Sequence, residues 1–321
     1  MSTIQADPFV PAGPPGERRT SSRPPHRLVE WRERIFPYAL NLPAILILLA
    51  LIAYPIGLSF WISLHAKSLR RPNDFPFVGL DNYATAMGSS EFVSALGVTL
   101  KFAVASVALI VLFGLGLALL LNADLKGRAV LRALVLVPWA VPPIINATLW
   151  RLIFDSHVGA LNGLLLQLGF IDSYRSWLID PNLSLVMVVM AHVWNHVPLA
   201  TIILLAALQA IPRELYEAAQ VDRTSRWRVF YRITLPWLLR PILIVMILQT
   251  MGALRAFDLF YVLTGGGPGN STTVLAWLTY RTSFVNLDLG LGSAYSYVIM
   301  AITLLVALFY IRGLYKRGDV E

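Results

Sequence analysis

Six long apolar stretches constrain the fold of this 321-residue chain more than any other feature. A helix needs about 20 mostly apolar residues to cross the hydrocarbon core of a bilayer, and each stretch reaches that length. Because lipid cannot hydrogen-bond an exposed backbone, such stretches cross the membrane as helices. The sequence therefore predicts an all-α integral membrane protein with six transmembrane helices, over residues 42–62, 93–121, 129–154, 183–211, 242–263 and 291–314.

The composition supports a membrane protein. Apolar residues make up 57% of the chain and charged residues only 14%, whereas about 25% of a typical soluble domain is charged. So few charged side chains cannot cover a water-exposed surface, which disfavours a cytosolic enzyme. The chain has no cysteine, which excludes disulfides and cysteine-ligated zinc or iron–sulfur sites.

The basic residues predict the orientation of the spans. Most of the 26 lysines and arginines lie before the first span, between the second and third, between the fourth and fifth, and after the sixth. Cytoplasmic segments carry such an excess, so we expect both termini to be cytoplasmic. The net charge of +8 is then a signal of topology, and we expect no nucleic-acid partner.

Three regions follow from this division of the chain. Residues 1–35 are rich in proline, serine and arginine and are predicted to form a disordered cytoplasmic tail. Residues 36–92 hold the first span and an outer loop. Residues 93–321 form a core of five spans, which includes the cytoplasmic loop 212–241.

The loop 212–241 has a helical pattern of its own. Pro212 suits the first turn of a helix, and Leu215, Ala218, Ala219 and Asp222 fall on one face of it. Ser225 is placed to begin a second short helix. Two interpretations are open on these residues alone: an amphipathic segment lying on lipid headgroups, or a thin helix that enters the groove of a partner protein.

The same loop resembles a known family. Glu217-Ala218-Ala219-x-x-Asp222, followed by Phe230-x-x-Ile233-x-Leu235-Pro236, is similar to the EAA loop of ABC importer permeases that work with a binding protein. The resemblance implies a type I importer permease bundle. It also implies that the loop is a coupling helix that docks on a cytoplasmic ATPase, through Glu217, Ala218, Ala219, Asp222, Arg223, Phe230 and Pro236.

One position departs from the family pattern. The family usually has glycine after the aspartate, and this chain has Arg223. Where that residue has a positive φ, an arginine costs about 1 kcal/mol, because its Cβ crowds the following carbonyl. The turn, or the contact with the ATPase, is then expected to differ here.

A second segment indicates the branch of the family. Residues 257–272, which read FDLFYVLTGGGPGNST, and residues 138–143, which read PWAVPP, resemble carbohydrate importer permeases of the maltose and glycerol-phosphate type. The resemblance covers roughly residues 93–310. It implies a carbohydrate or glycoside as solute, and a bacterial inner membrane as location.

The chain has no ATP site of its own in sequence. A P-loop ends in Gly-Lys-Ser/Thr, and none of the four lysines, Lys67, Lys101, Lys126 and Lys316, follows a glycine. We therefore expect a transport subunit rather than an enzyme, with no cofactor in this chain. The resemblance implies a dimer of P-loop ATPases holding ATP and magnesium, a second related permease in a heterodimer, and an extracytoplasmic solute-binding protein.

Polar residues inside the spans are candidates for the solute pathway, because they are costly in lipid. The resemblance carries this role to His192, Asn195, His196 and Gln249. Interhelical hydrogen bonding explains such residues equally well. His192 and His196 have no carboxylate on their face, so no metal site is predicted, and Arg255 and Asp258 are expected to form an ion pair. The full set of pathway candidates is Asn146, His192, Trp194, Asn195, His196, Gln249 and Arg255.

The sequence thus predicts the permease subunit of an ATP-driven ABC importer for a carbohydrate or glycoside. The alternative is a proton-coupled secondary transporter that uses His192, His196 and Asp258. The two differ in energy source, since only the second continues when ATP is depleted.

Overall fold

The computed structural model of the chain describes residues 26–124 and 126–315, and their side chains from Phe36 to Arg312. Over these ranges the fold is helical, with only two isolated β-bridges. The helices are α1 (His26–Leu48), α2 (Tyr54–Ser63), α3 (Asp81–Gly88), α4 (Ser90–Asn122), α5 (Arg128–Ala140), α6 (Pro143–Ile153), α7 (Ala160–Gln167), α8 (Pro181–Gln209), α9 (Arg213–Val221), α10 (Arg226–Val229), α11 (Leu235–Leu254), α12 (Asp258–Leu263), α13 (Leu275–Tyr280) and α14 (Leu289–Tyr315). Single π-helical turns occupy Leu49–Ala53, Phe230–Thr234 and Arg281–Val285.

Five helical stretches in the described ranges are long and apolar enough to cross a membrane. They are Phe36–Ser63, Ser90–Asn122, Pro181–Gln209, Arg226–Leu254 and Leu289–Arg312. The pair α5 and α6 makes a sixth if it counts as one span, but the two helices are bent by 95° at their junction. The span predicted over residues 129–154 corresponds to this bent pair. The bend follows from Pro142 and Pro143, which lack the N–H groups that a continuous helix needs.

Two boundaries differ from the prediction. The fifth span begins at Arg226 and ends at Leu254, because the helix of the loop runs on through a π-helical turn into α11. The backbone is already helical at His26, inside the stretch predicted as a disordered tail, while residues 1–25 lie outside the described ranges.

The contacts divide the chain into a unit that ends at Gly57 and a unit that begins at Leu58. In the first unit, every described side chain from Phe36 to Gly57 is exposed. The second unit contains the core, including Phe102, Ile110, Val188, Leu204 and Phe260.

The core is centred on the contact between α4 and α8. Gly114 on α4 faces Ala200 and Thr201 on α8, and a Cβ added at Gly114 would lie only 2.9 Å from the Ala200 Cβ. Small residues let two membrane helices approach until their backbones nearly touch. The absence of a side chain at position 114 therefore sets the distance between the two central helices.

Replacing Gly114 by valine is expected to force α4 and α8 apart and to destabilise the fold by about 1–3 kcal/mol, the usual cost of overpacking a core. Gly116→Val is the matched control, since a Cβ at Gly116 meets nothing within 4 Å. The thermal unfolding midpoint of the detergent-solubilised chain would be measured for both. Equal midpoints for the two variants would contradict the close contact.

Candidate functional site

The loop between α8 and α11 folds into the two short helices that the sequence predicted, α9 and α10. Tyr216 on α9 hydrogen-bonds Thr234 just before α11, with 3.1 Å between the two hydroxyl oxygens. Ala219 is 7% exposed and packs inward, while Glu217 and Ala218 point away from the protein. The face expected to carry both alanines is thus divided: Ala219 packs inward, and Ala218 is exposed together with Glu217.

The C-terminus of α9 is closed by a left-handed residue. Arg223 has φ +50°, its backbone N–H donates to the Gln220 carbonyl at 3.0 Å, and the Thr224 N–H donates to the Ala219 carbonyl at 2.9 Å. This pair of bonds is the Schellman motif, in which glycine usually supplies the positive φ. Arg223 therefore adopts the conformation for which the family's glycine is suited.

A groove of about 540 Å³ lies between α9 and the helix that follows it. Three of the predicted loop residues line it: Ala219, Arg223 and Phe230. Asp222 caps α9, and Pro236 lies exposed in the first turn of α11. The predicted loop residues thus fall into an outward set at Glu217, Ala218, Asp222 and Pro236 and a groove set at Ala219, Arg223 and Phe230.

Among the intramembrane candidates, Asn195 has a structural task. Its side-chain Nδ2 donates to the Pro138 carbonyl at 2.6 Å and to the Val141 carbonyl at 3.2 Å. Both carbonyls lie at the bend between α5 and α6, where Pro142 and Pro143 have no N–H to offer. Asn195 therefore replaces hydrogen bonds that the broken helix has lost.

His192 and His196 form a stacked pair on α8, with ring centroids 3.8 Å apart. The Nδ1 atom of His196 lies 2.9 Å from the His192 carbonyl, and Phe102 meets the His192 ring edge-on at 4.9 Å. The Nε2 atom of His192 is buried without a hydrogen-bond partner. Within the described ranges no group of three His, Cys, Asp or Glu side chains is placed to hold a metal ion.

Asn146 on α6 and Gln249 on α11 are both buried, each 3% exposed. The Asn146 Nδ2 donates to the Ala191 carbonyl at 3.3 Å, but its Oδ1 is buried without a partner. Ala191 directly precedes His192 in α8, so Asn146 contacts α8 beside the position of His192, and each of the two side chains has one buried atom without a partner. A buried polar atom without a partner costs about 1–3 kcal/mol, and a hydrogen-bonding solute or water would relieve that cost.

Trp194 and Arg255 are the more accessible candidates. Trp194 is 39% exposed and meets the Trp150 ring edge-on at 5.9 Å. Arg255 follows the end of α11, and its Nε donates to the Met251 carbonyl at 3.2 Å. No ion pair joins Arg255 to Asp258, so that prediction was wrong, because the backbone carbonyl one turn earlier holds the guanidinium instead.

The segment after α6 does not form the ion pair that the spacing of Arg151 and Asp155 suggests. Arg151 donates to the Val262 carbonyl at 3.3 Å rather than to Asp155 four residues on. Asp155 accepts the backbone N–H groups of His157 and Val158 at 2.8 and 3.0 Å. These two bonds favour the charged form and lower the pKa of the Asp155 carboxyl.

Two further features were not predicted from the sequence. Asn162 is fully buried and joins the backbone of Asp155 and Arg175 to the Trp177 indole N–H. Five aromatic rings also form one cluster, with neighbouring centroids 4.9–6.0 Å apart, at Phe257, Tyr261, Trp277, Tyr280 and Phe284.

Comparison with known proteins places the chain in a family. Residues 110–318 match the model of the family described as binding-protein-dependent transport system inner membrane component. The trehalose/maltose transport system permease protein MalF of Thermococcus litoralis is 44% identical over 292 residues, which cover 90% of this chain and 97% of that protein. The trehalose transport system permease protein SugA of Mycobacterium tuberculosis is 35% identical over 87% of this chain and 89% of its own length.

A solved structure shares the fold. The permease chain of a bacterial ABC transporter involved in the import of alginate superposes with a TM-score of 0.77, at 23% identity, over 90% of this chain and 99% of that chain. The family match covers the loop 212–241 and three of the five long helices, and the curated relatives extend it over most of the chain. The chain therefore belongs to the binding-protein-dependent transport system inner membrane components, the permease subunits of ABC importers.

Proposed function

We propose that this permease imports a carbohydrate or glycoside that an extracytoplasmic binding protein delivers. The observation that carries the proposal is the likeness, over nearly their whole length, to two permeases named for trehalose transport. The bacterial alginate transporter that shares the fold was also solved in complex with a solute-bound periplasmic protein. The solute of this chain is proposed at the level of class, because relatives this distant differ in the sugar that they carry.

The membrane orientation is part of the proposal. The basic segments place both termini in the cytoplasm, and the loop that holds α9 and α10 then lies on the cytoplasmic side. A separate dimer of P-loop ATPases supplies the energy, with ATP and magnesium bound there. A second, related permease completes the pathway as a heterodimer in the plasma membrane.

The outward set on α9 is proposed to contact the ATPase. Glu217 and Ala218 are exposed, and α9 is held to the helix leading into α11 by the bond between Tyr216 and Thr234. α9 also begins within four residues of the end of α8. A displacement of α9 is therefore transmitted to both α8 and α11, the two helices that carry most of the buried polar candidates.

The solute pathway is proposed to run past the unpartnered polar atoms of α6 and α8. His192 Nε2 and Asn146 Oδ1 have unused hydrogen-bonding capacity. Gln249 is buried on α11, which packs against α8. Hydroxyl groups of a sugar suit such atoms, while Trp150 and Trp194 provide ring surfaces for its apolar faces. Asn195 is proposed to stabilise the bend between α5 and α6 rather than to bind solute.

Glu217→Lys is expected to abolish uptake while the chain still inserts, because it reverses the charge of the outward face of α9. Affinity purification of the wild-type chain from its native membrane should recover a P-loop ATPase that the variant loses. Arg228→Glu, a charge reversal of equal size on α10, serves as the control and should retain the ATPase. Uptake that survives ATP depletion but not an uncoupler would instead indicate the proton-coupled alternative.

Arg223→Gly is expected to stabilise the end of α9 by about 1 kcal/mol, because glycine adopts a positive φ without the steric cost that arginine carries. Arg226→Gly removes the same charge from a helical residue and should lower the stability slightly. Hydrogen exchange at the amides of residues 219–226 would be measured for both variants. A loss of protection in both would show that Arg223 is not strained.

Asn195→Ala and Gln249→Ala are expected to separate structure from solute binding. The first removes both hydrogen bonds from the Asn195 amide to the carbonyls at the bend and should lower stability by about 1–3 kcal/mol. The second leaves a cavity on α11 but breaks no hydrogen bond at the bend, so it should weaken uptake about 3–10-fold, the effect of one lost hydrogen bond to solute, while the chain remains folded. Gln167→Ala, at the exposed end of α7, is the control. Unchanged uptake in Gln249→Ala would remove Gln249 from the pathway.

A further inference from the structure

A second cavity, of about 630 Å³, opens at the ends of the central helices on the side of the coupling loop. Asn122 at the end of α4 and Gln209 at the end of α8 line it, together with Arg128 and Arg132 on α5 and Arg213 on α9. Tyr216 on α9 lines both this cavity and the groove that holds Arg223. We call it the arginine pocket, after Arg128, Arg132 and Arg213.

The charges of the arginine pocket do not balance. Asp124 is the carboxylate that lines it, and its contact with Arg128 is long, 3.4 Å between the two charged groups, with the Asp124 side chain fully exposed. Arg132 donates one bond, from Nη2 to the Leu121 carbonyl at 3.3 Å, and its Nε is buried without a partner. Three guanidinium groups face one weakly held carboxylate, so the pocket has an excess of positive charge and of N–H donors.

The chemistry of the pocket suits a phosphate group. A guanidinium presents several N–H donors in a planar fork that matches the oxygens of phosphate, and clusters of arginine bind phosphate for that reason. The amide groups of Asn122 and Gln209 add neutral donors at the rim.

The position of the pocket indicates the source of the phosphate. Two membrane-spanning helices, α4 and α8, end at its rim. On α5, Val130 and Leu134 are 63% and 60% exposed on the helix that also carries Arg128 and Arg132. Apolar side chains exposed beside two arginines one turn apart match the boundary between acyl chains and anionic headgroups.

We propose that the arginine pocket binds the phosphate group of an anionic phospholipid from the leaflet on the side of the coupling loop. The bound headgroup lies against the first turn of α9, where Arg213 contacts it. Lipid composition then acts on the same helix that contacts the ATPase. This inference does not depend on which solute the permease carries.

The test is native mass spectrometry of the full-length chain in neutral detergent, titrated with dioleoyl phosphatidylglycerol and, for reference, with zwitterionic dioleoyl phosphatidylcholine. The wild type is expected to prefer phosphatidylglycerol. Arg128→Gln combined with Arg132→Gln should raise its dissociation constant about tenfold or more, since each cation near an anionic headgroup contributes on the order of 1 kcal/mol. Arg128→Lys combined with Arg132→Lys keeps the charges and should retain most of the binding, which separates lost binding from misfolding.

The matched control is Arg228→Gln combined with Arg232→Gln, which removes two exposed charges from the loop 212–241, outside the pocket. If the control weakened phosphatidylglycerol binding as much as Arg128→Gln combined with Arg132→Gln does, the lipid would be attracted to any basic surface. That result would overturn the proposal. If millimolar inorganic phosphate displaced all the bound lipid, the pocket would be a site for free phosphate, and the proposal that the phosphate group belongs to a lipid would be overturned. If Arg128→Gln combined with Arg132→Gln left lipid binding unchanged but lost the co-purified ATPase, the result would show that an acidic segment of the ATPase, and not a lipid, occupies the pocket.

Discussion

The fold depends on satisfying the backbone groups at the bend between α5 and α6. Inside a membrane, a carbonyl that loses its helical partner has no water to replace it, so a broken helix persists only where a neighbour supplies the donor. Asn195 supplies two such donors, to Pro138 and Val141, from the middle of α8. Because α8 is also the helix that packs most extensively against α4, the bend is fixed to the centre of the protein. Two buried polar positions, at Asn146 and His192, are then brought to neighbouring places in that core.

Much of this architecture could be predicted from the sequence. The long apolar runs predict the helices, because crossing lipid leaves the backbone no other option. The pattern of residues 212–241 predicts both short helices of the loop, and the departure at Arg223 coincides with the one residue of that loop with a positive φ. The short helices and the turn at Arg223 depend on interactions between residues close in sequence. The long helices follow from the need to satisfy backbone hydrogen bonds in lipid.

The partners of individual side chains could not be predicted in the same way. Arg255 with Asp258 is a reasonable ion pair by spacing, yet the Met251 carbonyl holds the guanidinium. The amide of Asn195 finds carbonyls 54 and 57 residues away, and no local pattern encodes that contact. Proline marks where a helix can bend but does not give the angle, because the angle depends on what the freed carbonyls meet. Long-range contacts of this kind determine which polar side chains stabilise the bundle and which keep atoms without a hydrogen-bond partner.

The contact at Gly114 has a consequence for how such a bundle moves. Side chains that interdigitate can exchange rotamers and let two helices slide, but a glycine against Ala200 leaves no side-chain torsion to rearrange. α4 and α8 are therefore expected to move together as one rigid body. Any change of access across the membrane then has to come from rotation of these two helices against α5 and α11, which pack on them. The smallest residue of the core thus determines which part of the protein stays rigid.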